Sequence, residues 1–115
     1  MPRSIEFRQG AIELLILKGL SWGPQHGFSI ARWIQDTTDD VLRLEEGSLY
    51  PTLHRLEDKR WVKARWGTSE NNRRAKFYEL TATGRKQFAH ETQDWWKYAT
   101  AIEKVLRSTT KPLSA

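Results

Sequence analysis

The residues best equipped for chemistry lie between Ser48 and Lys76, and the chemistry they suit is recognition of a polyanion. Ser48, Thr52, Arg55 and Lys59 fall at i, i+4, i+7 and i+11, one stripe of a helix, with Tyr50, His54 and Glu57 on the stripe beside it. Hydroxyls, an imidazole and long cations are the groups that meet phosphate oxygens and base edges. Arg55 has the planar fork for a bidentate contact to guanine, whereas Ser48, Tyr50 and Thr52 suit a phosphate or a thymine methyl. Further along, Asn71 and Asn72 stand beside Arg73, Arg74 and Lys76. A basic loop of this kind can follow a DNA backbone or enter a minor groove, whose negative potential attracts arginine. Residues 54–76 carry 8 basic and 3 acidic side chains, an excess of +5 that equals the net charge of the whole chain. Residues 1–53 carry a net −2. A local basic segment is the electrostatic footprint of a polyanion site.

Other chemistries find little support. His26, His54 and His90 lack metal-type spacing, and the chain has no cysteine, so no zinc set is expected. Glu45-Glu46 reads as a solvated or capping pair rather than as catalytic carboxylates. There is no Gly-rich phosphate loop and no nucleophile elbow. The expectation is a protein that is not an enzyme and carries no cofactor and no metal.

The elements that must position these side chains follow from periodicity. A first helix is expected over about residues 8–20, where Ile12, Leu15, Ile16 and Leu20 keep helical spacing and Leu14 and Leu17 widen the apolar stripe. Ser21-Trp22-Gly23-Pro24 ends it. A second helix runs from His26 or Gly27 to Thr37, with Ile30, Ala31 and Ile34 inward and Phe28 nearby. Val41-Leu42-Arg43-Leu44 reads as a short extended piece. A third helix covers about residues 47–60, with Leu49, Leu53 and Leu56 facing the core. Ser48 is taken as its N-cap, which puts Pro51 in the first turn, where a missing N–H costs nothing. Trp61 to Trp66 alternates Val62, Ala64 and Trp66 against Lys63 and Arg65, the period of a half-exposed strand, with Trp61 and Trp66 read as packing residues. Residues 67–75 form a polar loop, and residues 76–80 a second strand.

Thr81 then caps a long helix over residues 82–107. Phe88, Thr92, Trp95, Ala99, Ile102 and Leu106 recur at spacings of 4, 3, 4, 3 and 4, a heptad seam. A helix this long needs an apolar surface to pack on, and the rest of the chain is too small to cover it. A second copy of the chain is the natural partner, with these six residues at the dimer interface. Trp95 and Trp96 lie midway along the seam and either pack the interface or form a slot there for a small planar ligand.

The fold class expected is therefore mainly α with a small β-hairpin: a winged helix-turn-helix plus a long C-terminal dimerisation helix. The domains are residues 1–81 for DNA binding, 82–107 for dimerisation, and 108–115 as a flexible tail. The length of 115 residues, with 38 % hydrophobic and 29 % charged side chains, suits one compact domain with one added element. No apolar run approaches the roughly 18 residues of a membrane span, and Met1 to Glu6 lacks the apolar core of a signal peptide. With no cysteine, a cytoplasmic protein is expected.

Several strings also resemble a known family. Gly47-Ser48-Leu49-Tyr50-Pro51-Thr52-Leu53-His54-Arg55-Leu56-Glu57 is similar to the signature of PadR-type transcriptional regulators. So are Leu14 to Leu17, His26-Gly27-Phe28-Ser29-Ile30, and Tyr78-Glu79-Leu80-Thr81-Ala82-Thr83-Gly84. The resemblance covers about residues 10–107. It implies a bacterial winged helix-turn-helix, a homodimer built through the C-terminal helix, and repression from a near-palindromic operator. It further implies Tyr50 and the polar residues of the third helix as DNA contacts. Release by phenolic acids or flat hydrophobic molecules at Trp95 or Trp96 is also implied. Phe28 stands where the family often has Tyr. The competing reading of the same residues is a winged-helix module for protein–protein contacts that does not touch DNA.

Overall fold

The computed structural model describes residues 9–113. Residue 8, the expected start of the first helix, and residues 114–115 of the expected tail lie outside them. The order is α1 (Gln9–Leu20), β1 (Gln25–His26), α2 (Gly27–Thr37), α3 (Glu46–Asp58), β2 (Val62–Thr68), β3 (Arg74–Leu80) and α4 (Ala82–Arg107). The strands form one antiparallel sheet in the order β1-β3-β2. This is the winged-helix layout with a long final helix.

α1 is the central element, packed on α2, α3, α4 and β3. Its Ile12, Ile16, Leu17 and Leu20 meet Ile30 and Ile34 of α2, Leu49, Leu53 and Leu56 of α3, and Val62, Tyr78 and Leu80 of the sheet. Leu44 is buried with them and anchors the segment before α3, which is not extended strand. α2 and α3 are joined by a turn in which Asp39 and Asp40 both take positive φ. Thr38 Oγ1 donates to the Ile34 carbonyl at 2.9 Å and accepts from Leu42 N at 3.1 Å, so the turn satisfies its own backbone. At the start of α2, His26 Nδ1 accepts from Ser29 N and serves as N-cap. His26 also belongs to β1, paired opposite Phe77. This third strand was not expected; at two residues it is too short to show a period.

The N-terminus of α3 differs from expectation. The N-cap is Glu45, not Ser48, and Pro51 is the sixth helical residue. Ser48 N and Leu49 N both donate to the Glu45 carbonyl, at 3.0 and 2.9 Å. Pro51 has no N–H to give the Gly47 carbonyl, and Gly47 is exposed, so water can take that acceptor in its place. α3 ends in a tight reversal. Arg60 adopts a left-handed φ of 62°, Arg60 N donates to the Glu57 carbonyl and Trp61 N donates to that of Leu56.

The reversal leads directly to the seat of α4. Thr81 N donates to the Trp61 carbonyl at 3.0 Å, and Thr81 Oγ1 donates to the Arg60 carbonyl at 2.7 Å. The same hydroxyl accepts from Gly84 N and caps α4. Gly84 is buried there, and a Cβ at that position would overlap the Trp61 carbonyl oxygen. Beyond this seat, Phe88 packs on the core of its own chain, so the first position of the expected dimer seam is used within the chain. From Gln93 onward α4 is exposed, apart from half-buried Ala99. Trp95, Tyr98, Ile102, Val105 and Leu106 form an apolar stripe along that free length.

Lys59 is exposed at the end of α3 while its ammonium is engaged by the fold. Its Nζ lies 3.1 Å from both carboxylate oxygens of Glu13 on α1 and 4.5 Å from the centre of the Trp61 ring. Glu91 of α4 shares this junction. Burial raises its carboxyl above the ordinary glutamate range, the Glu13 charge raises it further, and Lys59 pulls it back; His90 lowers it and Asp94 raises it from its own helix.

Gly84→Ala should cost roughly 1–3 kcal/mol, because α4 must move off a backbone carbonyl. Thermal unfolding reads this directly, and a variant melting with the wild type would contradict the close seat. A raised folded-state value means that Glu91 stabilises the fold while protonated, and that this stability is lost as pH rises through the raised value. Glu91→Gln should therefore melt with the wild type near the ordinary glutamate pKa of about 4.3 and above it at neutral pH. Equal melting of the two proteins at neutral pH would count against the assignment.

Candidate nucleic-acid interface

α3 turns Leu49, Thr52, Leu53 and Leu56 into the core and leaves Ser48, Tyr50, His54 and Arg55 outside. Thr52 corrects the sequence reading. It is fully buried, because residues 49, 52, 53 and 56 make one inward stripe. Its hydroxyl donates to the Ser48 carbonyl at 2.7 Å and accepts from Arg55 Nη2 at 2.9 Å. It is thus placed to orient Arg55 rather than to touch a ligand. Lys59, two helical turns after Thr52 on the same flank, stays exposed, with its ammonium held by Glu13 of α1. Of the expected α3 set, Ser48, Tyr50, His54, Arg55 and Lys59 remain exposed.

Tyr50 is fixed from behind. The N-terminus of α2 crosses α3 at Gly27, where a Cβ would stand only 3.0 Å from the Tyr50 ring. The close crossing of α2 and α3 is the helix-turn-helix contact, and it sets how far α3 stands proud of the body.

The hairpin is longer than expected, with Arg74 and Ala75 on β3 rather than in the loop. Its tip is closed by Ser69 N donating to the Arg73 carbonyl at 2.8 Å and by Asn72, at φ 57°, donating to the Ser69 carbonyl. The register pairs Val62 with Leu80, Ala64 with Tyr78, Trp66 with Lys76 and Thr68 with Arg74. Alternation puts all eight on one face. Near the body that face is core. Further out, the same face presents Lys76, Trp66 and Arg74.

This outer part of the hairpin faces α3. Lys76 Nζ lies 3.5 Å from Glu57 Oε1, and His54 Nδ1 lies 3.9 Å from the same oxygen. Lys76 is thereby partly neutralised. Buried Tyr78 lies behind them, its phenol raised above the ordinary range by burial, then by the charges of Glu57 and Tyr50, so it remains a protonated donor. Between α3, the start of α2 and the hairpin lies an open cleft of about 470 Å³, bordered by Phe28, Tyr50, His54, Trp66 and Arg74 among others. Arg73 and Asn72 are exposed at the tip.

Two residues on this side were not expected there. Phe28, expected near the inner face of α2, is 62 % exposed, and Trp66, expected as a packing residue, is 59 % exposed. Trp66 sits at the end of its strand's alternation, past the point where α3 can cover the sheet. The available signal is its position immediately before the polar stretch that begins at Gly67. On α4, Trp95, Trp96, Ile102 and Leu106 are exposed, Ala99 and Thr92 are half-buried, and Thr92 Oγ1 donates to the Phe88 carbonyl at 2.7 Å.

The whole arrangement presents donors and cations on a projecting helix and on an adjacent hairpin, with a cleft between them. Among the described residues no group of three or more His, Asp or Glu side chains is placed to hold a metal ion. No helix there is long and apolar enough to cross a membrane. A family model described as the transcriptional regulator PadR-like family matches residues 16–90. Three solved structures extend the likeness over nearly the whole chain. A protein from Streptococcus mutans is 26 % identical, with a TM-score of 0.81, covering 95 % of this chain and 98 % of that one. A transcriptional regulator from Clostridium thermocellum is 28 % identical, with a TM-score of 0.75 and coverage of 84 % and 93 %. A PadR family transcription regulator from Clostridium difficile is 27 % identical, with a TM-score of 0.72 and coverage of 83 % and 97 %.

Proposed function

The chain belongs to the PadR-like family of transcriptional regulators, which are not enzymes, and from that premise we propose that it represses transcription as a homodimer bound to a near-palindromic operator. The observation that carries this reading is the cleft bordered by Tyr50 and His54 of α3 and by Arg74 of the wing, with Ser48 and Arg55 exposed on the same helix. α3 enters the major groove, where Arg55, oriented by Thr52, reads a base edge. The wing follows the neighbouring backbone. Residues 1–81 are the DNA-binding part and residues 82–107 the dimerisation helix.

The apolar stripe of α4 supports the dimer, since Trp95, Ile102 and Leu106 are left exposed by the rest of the chain. Pairing two such stripes sets two copies of α3 about one DNA turn, roughly 34 Å, apart. A small planar hydrophobic or phenolic ligand stacked between the helices at Trp95 or Trp96 would alter that spacing and release the operator.

The first test is titration of a fluorescent duplex from the protein's own upstream region against a scrambled duplex at two salt concentrations. Preference for the native duplex is expected, with affinity falling on the order of 10³-fold or more between 50 and 200 mM salt if six or more phosphates are neutralised. Arg55→Ala should cost about 1–3 kcal/mol on the native duplex and less on the scrambled one. Absence of binding at low salt would discard this reading in favour of a winged-helix module for protein contacts. Separately, Ile102→Glu should yield monomers in sedimentation velocity and weaken operator binding; a variant that stays dimeric would place the interface elsewhere.

A further inference from the structure

Arg74 is placed unlike the other cations of the hairpin. Lys76 leans on Glu57, and Lys63 pairs with Glu79 at 3.6 Å. Among the described residues Arg74 has no ion-pair partner, and its guanidinium carbon lies 4.6 Å from the centre of the Trp66 ring. The contact follows from the register. Arg74 stands opposite Thr68, so Trp66 is its diagonal neighbour on the same face of the hairpin. Trp66 is itself 59 % exposed, buried by neither α3 nor the core.

We propose that Trp66 is a positioning residue for nucleic-acid binding: it holds the Arg74 guanidinium over its ring, at the border of the cleft, ready to meet a phosphate of the duplex that α3 engages. Stacking uses the face of the guanidinium and leaves the N–H donors in its plane available to phosphate oxygens. The ring replaces a carboxylate as the partner, so Arg74 is ordered without being neutralised. That is the difference from Lys76. Arg73, one residue away at the tip, lies outside the strand and has no such ring contact among the described residues. The inference rests on the DNA-binding reading and extends it to a residue that touches no base.

The test is a double-mutant cycle on the native duplex, with Trp66→Leu, Trp66→Phe, Arg74→Ala and the Trp66→Leu/Arg74→Ala double variant, each checked by thermal melting. Arg74→Ala should lower affinity and reduce the salt slope by about one. Trp66→Leu, which keeps bulk but loses the π-face, should lose roughly two- to fivefold, as expected for an exposed cation–π contact. Trp66→Phe should recover part of that loss, and the double variant should bind no worse than Arg74→Ala alone. A merely structural role for Trp66 would give equal losses with and without Arg74, and that result overturns the proposal. So does Trp66→Leu binding as tightly as the wild type while Arg55→Ala still loses affinity, in which case the DNA-binding reading survives. If the wild-type protein shows no salt-dependent duplex binding, both fall together.

Discussion

The structure depends on one backbone joint, where the end of α3, Trp61 and the start of α4 are locked together. The Arg60 and Trp61 carbonyls are bonded by Thr81, and Gly84 lies against the same Trp61 carbonyl with no room for a side chain. Trp61 N is in turn bonded to the Leu56 carbonyl in the last turn of α3. A continuous hydrogen-bonded path thus runs from the helix that bears Arg55 to the helix that bears the exposed apolar stripe. Lys59 reinforces it by tying the end of α3 to Glu13 of α1. α3 and α4 are therefore oriented relative to each other by backbone bonds and not only by side-chain packing, which tolerates more adjustment.

Much of this was legible in the sequence because the elements are long and strongly periodic. α4 begins and ends at the residues expected, since Thr81 is a good cap and the 4-3 spacing persists to Leu106. The inner faces of α1 and α2 follow from Ile12, Ile16, Ile30 and Ile34. What was not legible depends on competition between neighbours. Ser48 has the chemistry of an N-cap, but Glu45 holds that position, and the exposed Gly47 carbonyl makes Pro51 tolerable deeper in the helix. Thr52 and Lys59 share a polar stripe on a helical wheel. The wheel does not say that the stripe borders the core closely enough to bury a threonine or to bring a lysine to Glu13. Trp66 has the composition of a core residue; only the reach of α3 along the sheet decides that it stays outside.

The basic segment also means less as a total than as a distribution. Of its cations, Lys59, Lys63 and Lys76 are taken up by Glu13, Glu79 and Glu57. Arg55, Arg60, Arg65, Arg73 and Arg74 have no carboxylate partner among the described residues. Lysines thus fasten the wing and the helix to the body, and arginines are left outward, where a planar fork has more use than a point charge. The aromatic residues divide similarly: Trp61 supports Lys59 from inside the fold, and Trp66 lies under Arg74 outside it.

The free length of α4 gives the molecule a mechanical gearing. The helix has 26 residues, of which the first eleven, through Thr92, are the part that meets the body. The remaining 15 residues reach about 23 Å beyond it at 1.5 Å per residue. A sideways push of about 2 Å at the far end is therefore a rotation of only about 5° at the edge of the packed part. Trp95 lies about one turn past that edge, so the same displacement there works directly against the packed base, whereas at the tip it takes little rotation.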